Sequence, residues 1–375
     1  MKSIKTAFVL SVIAGGAAWS GASVADDNDG GHGVFVMTNN ADSNQVIAFE
    51  RSPSGTLENP RSYATDGRGS GGTVDPLASQ GSLTLSADRA WLFAVNAGSG
   101  SVSVFRVNGA KLELTDRVAT QGSEPNSVAQ HGSLVYVLNT AGSSSVVGFT
   151  FDNGKLIRIP NSLRFLSANA VASGSVAFSP DGRFLIVTEK ATNNLDVFSV
   201  LSDGSLSPIT VTPSVGPGVF SASFTRNDVA LVSETGPGAP NESAISSYAV
   251  HSDGTLTPIS SSVPTLGSAN CWNVASPDGR FVYVSNAGSG TISGFAIGQG
   301  GTLTALPGTV LASNPAGSSN IDITISADGK FLYTLNAGTG AVGMFAVQTN
   351  NGVLTGLGTA GGLPASAGLN GIAAN

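Results

Sequence analysis

Ser175-Val176-Ala177-Phe178, then Ser179-Pro180-Asp181-Gly182-Arg183, then Phe184-Leu185-Ile186-Val187-Thr188-Glu189-Lys190 and, past Ala191-Thr192-Asn193-Asn194, Leu195-Asp196-Val197-Phe198 read as three short strands joined by two tight turns. Asp-Gly pairs tolerate positive φ at little cost and favour such hairpins. The pattern predicts an inner strand at Ser175–Phe178, a second at Phe184–Thr188 and a third at Leu195–Val200. After the Asp203-Gly204 hairpin, an outer strand is expected around Leu206–Ile209.

The same unit recurs along the chain. An apolar strand ending in Asn or Glu, a Gly/Ser/Asn turn and a strand closing on an aromatic run from Asn40 to Phe49, Asn96 to Phe105, Asn139 to Phe149, Glu189 to Phe198, Glu234 to Tyr248, Asn286 to Phe295 and Asn336 to Phe345. Each aromatic is followed by a Gly and, two or three residues on, a Leu, as in Gly55/Leu57 and Gly352/Leu354. Successive units start 56, 43, 50, 45, 52 and 50 residues apart. Units of that length built of short strands are propeller blades, and helix-period patterning is absent beyond the N-terminus. The first unit enters at Val34–Thr38, on what matches a second strand. The last residues, Gly368-Leu369-Asn370-Gly371-Ile372-Ala373-Ala374, resemble an inner strand. The expected fold is therefore an all-β, seven-bladed β-propeller, one domain over 34–375, closed by pairing of its N- and C-terminal strands so that no sheet edge is left open.

Lys2 and Lys5, the apolar stretch Ala7–Ala18 and Ser23-Val24-Ala25 have the form of a secretory signal. A signal peptide over 1–25, cleaved after Ala25, and a flexible leader over 26–33 are expected, with a periplasmic or secreted product. The apolar stretch is short for a span, which needs about 20 residues, so no membrane insertion is expected. The single cysteine, Cys271, allows no disulfide within the chain. The net charge of −7, more negative once Lys2 and Lys5 are removed, disfavours nucleic acid or anionic lipid as partner. A monomer that takes a small molecule is expected.

Candidate site residues come from breaks in the repeat. If inner strands run down the channel and second strands return, inner-strand starts and second-strand ends meet on one face. The second-strand ends are Asn40, Asn96, Asn139, Glu189, Glu234, Asn286 and Asn336. Asn there is read as bonding the backbone of the following turn; Glu189 and Glu234 depart from it. Two acids near one mouth can serve as base and acid or bind a ligand, or stand as solvated rim carboxylates. The inner-strand starts are Ser82, Asn126, Ser175, Ser221, Trp272, Asp322 and Gly371. Trp272 breaks that small, polar series, as a stacking platform or a plug of the channel. Asp322 faces the channel and a ligand or pairs with a neighbouring strand. Cys271 reads as a small buried apolar group. Glu189, Glu234 and Trp272 are expected to open into a shared pocket. His-Glu-x-x-His, cysteine clusters and Gly-x-Ser-x-Gly are absent from the sequence, so neither a metal nor a cofactor is expected.

The Ser-Pro-Asp-Gly-Arg-Phe turn with Glu189-Lys190-Ala191-Thr192-Asn193-Asn194-Leu195-Asp196-Val197-Phe198 resembles the lactonase family of seven-bladed propellers, which includes bacterial propeller-type 6-phosphogluconolactonases and fungal carboxymuconate lactonizing enzymes. The resemblance implies a catalytic acid at Glu189. It also marks a departure: where phosphogluconolactonase-type members carry Gly-Pro-Arg-His, this chain has Ala172-Ser173-Gly174-Ser175. Without that Arg and His, the implied chemistry shifts from phosphorylated sugars toward an uncharged lactone or cyclic ester. Glu189 would activate water, with Lys190 or a backbone N–H on the oxyanion; the alternative expectation for Lys190 is that it points outward into solvent. The competing expectation is a non-catalytic ligand-binding or cell-envelope scaffold.

Overall fold

Seven antiparallel sheets form in the computed structural model, which describes residues 31–169 and 171–375; six have four strands, and that of blade three gains a short fifth, Arg164–Phe165, beside Ser145–Val146. The expected signal peptide and residues 26–30 of the leader lie outside the described residues. Blade one takes its inner strand from the C-terminus, Asn370–Ala374, followed by His32–Met37, Gln45–Arg51 and Leu57–Ala64. The inner strands of blades two to seven are Leu83–Leu85, Ser123–His131, Ser173–Phe178, Val219–Phe224, Asn270–Ala275 and Asn320–Ile325. Ring closure is as the sequence indicates: Val34 pairs with Ala374, Phe35 with Ala373 and Val36 with Ile372. The first strand begins at His32, two residues ahead of the expected start. Among the described residues no helix is long and apolar enough to cross a membrane.

The recurring Gly after each aromatic has two reasons. Gly55, Gly109, Gly154, Gly204, Gly254, Gly301 and Gly352 all have positive φ, which glycine adopts without strain. Most also lie against a neighbouring blade: a Cβ on Gly55 would come within 2.1 Å of the Phe331 ring, and one on Gly352 within 2.7 Å of Phe281. Tyrosines of second strands then latch onto these turns. Tyr333 donates to the Gly55 carbonyl at 3.0 Å, Tyr283 to Gly352 at 3.0 Å and Tyr136 to Gly204 at 2.6 Å. At the closing seam Arg51, almost wholly buried, pairs with Asp328 of blade seven at 3.6 Å.

In blade four the outer strand forms at Thr210–Pro213, beyond the Leu206–Ile209 expected. Pro208 interrupts the ladder because it has no N–H to give. Ser207 instead exchanges bonds with Ser199 through backbone and hydroxyl, and regular pairing resumes at Thr210–Val197.

Candidate functional site

The second-strand ends reach the face opposite the Ser-Pro-Asp-Gly turns, but they do not all cap the turn that follows. Asn40 does, its Oδ1 accepting from the Asp42 and Ser43 N–H groups. It lies beyond its strand, however, which ends at Met37, and pairing of Val34 with Phe49 puts Thr38 at the position that Asn96 and Glu189 hold. Asn96 instead reaches sideways: its Nδ2 donates to Ser103 on the third strand at 2.8 Å, while its Oδ1 accepts from Asn44 and Thr65 of blade one. Asn286 likewise donates to Ser293 at 2.9 Å. Asn96 thereby ties blade two to blade one, whereas the Asn286 bonds stay within blade six.

Glu189 and Glu234 occupy the same place. Glu189 is fully buried; it accepts from the Ser167 N–H at 2.8 Å and from the hydroxyls of Ser167 and Thr192 at 2.6 Å each. On the adjoining strand, where blades two, five and six carry Ser103, Ser246 and Ser293, stands Asp196, also fully buried. Burial works against the Glu189 carboxylate, yet hydrogen bonds from Asp196, Ser167 and Thr192 hold its pKa below the ordinary value. Burial, with the hydrogen bond and charge of Glu189, pushes Asp196 up to about 9. The two carboxyls share one proton at neutral pH. Glu189 is thus an ionised anchor with its lone pairs engaged, and the sequence reading passed over its partner.

Glu234 is fully buried as well, accepting from Ser246 at 2.5 Å and Ser262 at 2.8 Å. Burial raises its pKa against these hydroxyls and the Gly216 N–H. Gly216 packs so closely that a Cβ would fall 2.0 Å from the carboxylate. A pocket of about 370 Å³ lined by Pro217, Pro237 and Pro264 has Glu234 in its wall.

Trp272 is sealed, at 1% exposure, with its ring edge-on to Phe220 at 5.1 Å and its Nε1 donating to the Ser79 carbonyl at 2.8 Å. It offers no face to a ligand, and the expected shared pocket of Glu189, Glu234 and Trp272 does not form. What displaces it is the connection between blades one and two. Thr73–Gln80 lies across the channel mouth: Ser79 donates to the Asn126 carbonyl, the Gln80 N–H to Gly174, and Gln80 exchanges two side-chain bonds with the Asn273 backbone. The longest unit spacing, 56 residues between the first and second units, is the sequence signal of this plug.

The plug brings a further acid to Lys190. Lys190 does not point outward; its Nζ donates to the Ala78 carbonyl and sits 4.7 Å from the centre of the Phe220 ring. Asp75, half-buried on the plug, accepts from Asn370 Nδ2 at 2.8 Å. Burial lifts the Asp75 carboxyl to about 7 against the Asn370 hydrogen bond, the Lys190 charge and the Ser79 and Ala78 N–H groups. Burial lowers Lys190, while Asp75 opposes that shift. Cys271 below them is buried, its thiol pushed up by desolvation, and is no nucleophile. Asp322 faces the channel further down, in the wall of a separate cavity, with its Oδ2 accepting from the Ile372 N–H at 3.1 Å.

Comparison with known proteins agrees with this architecture. Residues 32–172 match the family described as Lactonase, 7-bladed beta-propeller; the match spans the first three blades and ends ahead of Glu189. No curated protein matches the chain. Among solved structures, the periplasmic gluconolactonase of Pseudomonas aeruginosa aligns at 20% identity, over 91% of this chain and 99% of that one, with a TM-score of 0.66. A protein of Bacteroides uniformis described as a candidate 6-phosphogluconolactonase aligns at 19% identity, over 90% and 99%, with a TM-score of 0.68. A Lactobacillus plantarum protein aligns at 18%, also over 90% and 99%, with a TM-score of 0.68. The chain resembles the lactonase family of seven-bladed propellers in sequence over its first three blades and in fold over all seven.

Proposed function

We propose that this lactonase-type propeller hydrolyses a small, largely uncharged lactone or cyclic ester at the plugged channel mouth, with Asp75 and Lys190 as the reacting pair in place of Glu189. The observation that carries the reading is that Lys190 donates to the Ala78 carbonyl, three residues along the plug from the half-buried Asp75, whose carboxyl burial lifts to about 7 while the Lys190 charge draws it back. A base is most effective when its pKa lies near the working pH. Asp75 takes a proton from water as the oxygen attacks the lactone carbonyl, and Lys190 stabilises the oxyanion. Collapse breaks the ring C–O bond, and the departing alkoxide takes the proton back from Asp75, leaving a hydroxy acid. Glu189, with Asp196, holds the strand end from which Lys190 projects.

Export is part of the proposal. It rests on the signal-like residues Met1–Ala25 and on the periplasmic relative of the same fold. A non-catalytic binding or scaffold propeller is the second reading, favoured by the sealing of Glu189 and by Ala172-Ser173-Gly174-Ser175 where an Arg and a His would stand. The test is a hydrolysis screen of the purified protein against aliphatic, long-acyl and aromatic lactones, with Asp75→Asn, Lys190→Met and Glu189→Gln beside it. Turnover lost in the first two variants supports the proposal. Turnover lost only in Glu189→Gln returns the chemistry to Glu189, and no turnover with any lactone favours the scaffold.

A further inference from the structure

The channel is also entered from the other side. A cavity of about 400 Å³ is lined by the inner strands of blades six, seven, one and two and runs to the inner turns of blades two and six, at Ser86–Arg89 and Pro277. Gln80 closes its inner end through its paired bonds with Asn273. Leu83, Ile323 and Ile372 share its walls with the neutral polar Gln80, Thr84, Ser86 and Thr324, and charged side chains reach it at two places.

Both charged residues sit in backbone that suits glycine. Arg89 has φ +59° in the inner turn of blade two. The same turn position in blades four, six and seven is Gly182, Gly279 and Gly329, with φ of 71°, 74° and 68°. Asp322 has φ +60° at the start of its inner strand, and its counterpart in blade one is Gly371, at φ 80°. A side chain in the left-handed region is strained where glycine is not. Strained backbone of this kind gathers at ligand sites. Here the repeat supplies the relaxed alternative in the same molecule; Asp228 of blade five departs from it too, at φ 61°, but away from the cavity, whereas Arg89 and Asp322 bring opposite charges into one cavity.

We propose that this cavity binds a small hydroxy-carboxylate anion, its carboxylate on Arg89 at the mouth and its hydroxyls on Asp322 within. Arg89 Nη1 donates to the Ala374 carbonyl, which leaves the Nε–Nη2 edge of the guanidinium for a carboxylate. Asp322 accepts from the Ile323 and Ile372 N–H groups, one on each oxygen, and each oxygen keeps a lone pair for a ligand hydroxyl. The level of Asp322 matches Ser82, and the turn bearing Arg89 begins at Ser86. Four residues of strand, about 13 Å, separate those levels, so the ligand is extended and five or six carbons suit it better than two or three. The site lies on the face opposite Asp75 and Lys190 and stands whether or not lactones are hydrolysed there.

Titration of the full chain with gluconate, with sorbitol (hydroxyls without the charge), with hexanoate (the charge without hydroxyls) and with glycolate, followed by calorimetry, tests the assignment. Gluconate is expected to bind saturably, one per chain, about tenfold or more tighter than the other three, the weight of a charge-assisted hydrogen bond. Arg89→Gly should erase the preference over sorbitol and Asp322→Gly the preference over hexanoate. Each substitution installs the residue of the matching position, so the turn is kept; Arg89→Asn, which also tolerates positive φ, replaces the first if it fails to fold. Absent gluconate binding, or binding that neither variant alters, overturns the assignment, as do variants that lower stability and leave the preferences intact, because that result reduces both side chains to latches on the closing strand. Lys190→Met, whose charge acts on Asp75 and Cys271 and not on Asp322, should leave gluconate binding unchanged, which separates this site from the proposed hydrolytic one.

Discussion

Asp196→Asn is the substitution whose outcome the geometry fixes most tightly. Asp196 is fully buried beside Glu189, and its pKa of about 9 in the fold stands far above the ordinary 3.8. The folded protein therefore keeps a proton that the unfolded chain releases above about pH 4. The stability this group contributes is complete below that point and is lost as pH rises toward about 9. At about 1.4 kcal/mol per pH unit, wild type should lose roughly 4 kcal/mol from this group between pH 5 and pH 8, an upper figure because the pair relaxes. Asparagine keeps a donor toward Glu189 and cannot ionise. The unfolding free energy of the variant relative to wild type should then climb in the variant's favour across that range and level off above about pH 9. Urea unfolding of both proteins at fixed ionic strength, at each pH, reads the difference directly, because groups away from the pair cancel. Parallel pH profiles would refute the shared proton and with it the account of Glu189 as an anchored carboxylate.

Three further outcomes are expected. Deleting Asn370–Asn375 removes the strand that pairs with Val34–Met37 and opens an edge, so size-exclusion chromatography should show higher oligomers in place of a single species; an unchanged profile contradicts the closure. Trp272→Ala should cost roughly 3–5 kcal/mol and free the plug. Hydrogen exchange at Leu77–Gln80 should quicken, whereas Trp272→Phe, losing the bond to Ser79, should cost about 1 kcal/mol; exchange that stays slow in the alanine variant argues against the plug being pinned by Trp272. Exported protein should begin near Asp26 on N-terminal sequencing, and material that retains Met1 speaks against the signal.

The seven units, their order of strands and the closure by Asn370–Ala374 were all present in the sequence, because turn chemistry and strand alternation are local and repetition multiplies a weak signal. Symmetry breaking also marked real places: Glu189, Glu234 and Trp272 each differ from their counterparts because each has a different neighbour. Which neighbour was a matter for the tertiary structure. For Glu189 it is Asp196 and Ser167, for Glu234 the close approach of Gly216, and for Trp272 a carbonyl of the Thr73–Gln80 segment that lies nearly two hundred residues away in sequence. Arg89 shows the same limit: its residue type is visible in the turn Ser86-Ala87-Asp88-Arg89, but not that its φ is left-handed or that its side chain lines the channel. The sequence determined the blades because all but the first are built from strands adjacent in the chain, and the first, closed by the two ends, repeats the same pattern. The face a ligand can reach was decided by a single long connection folded across the ring, and its path depends on contacts with four blades at once.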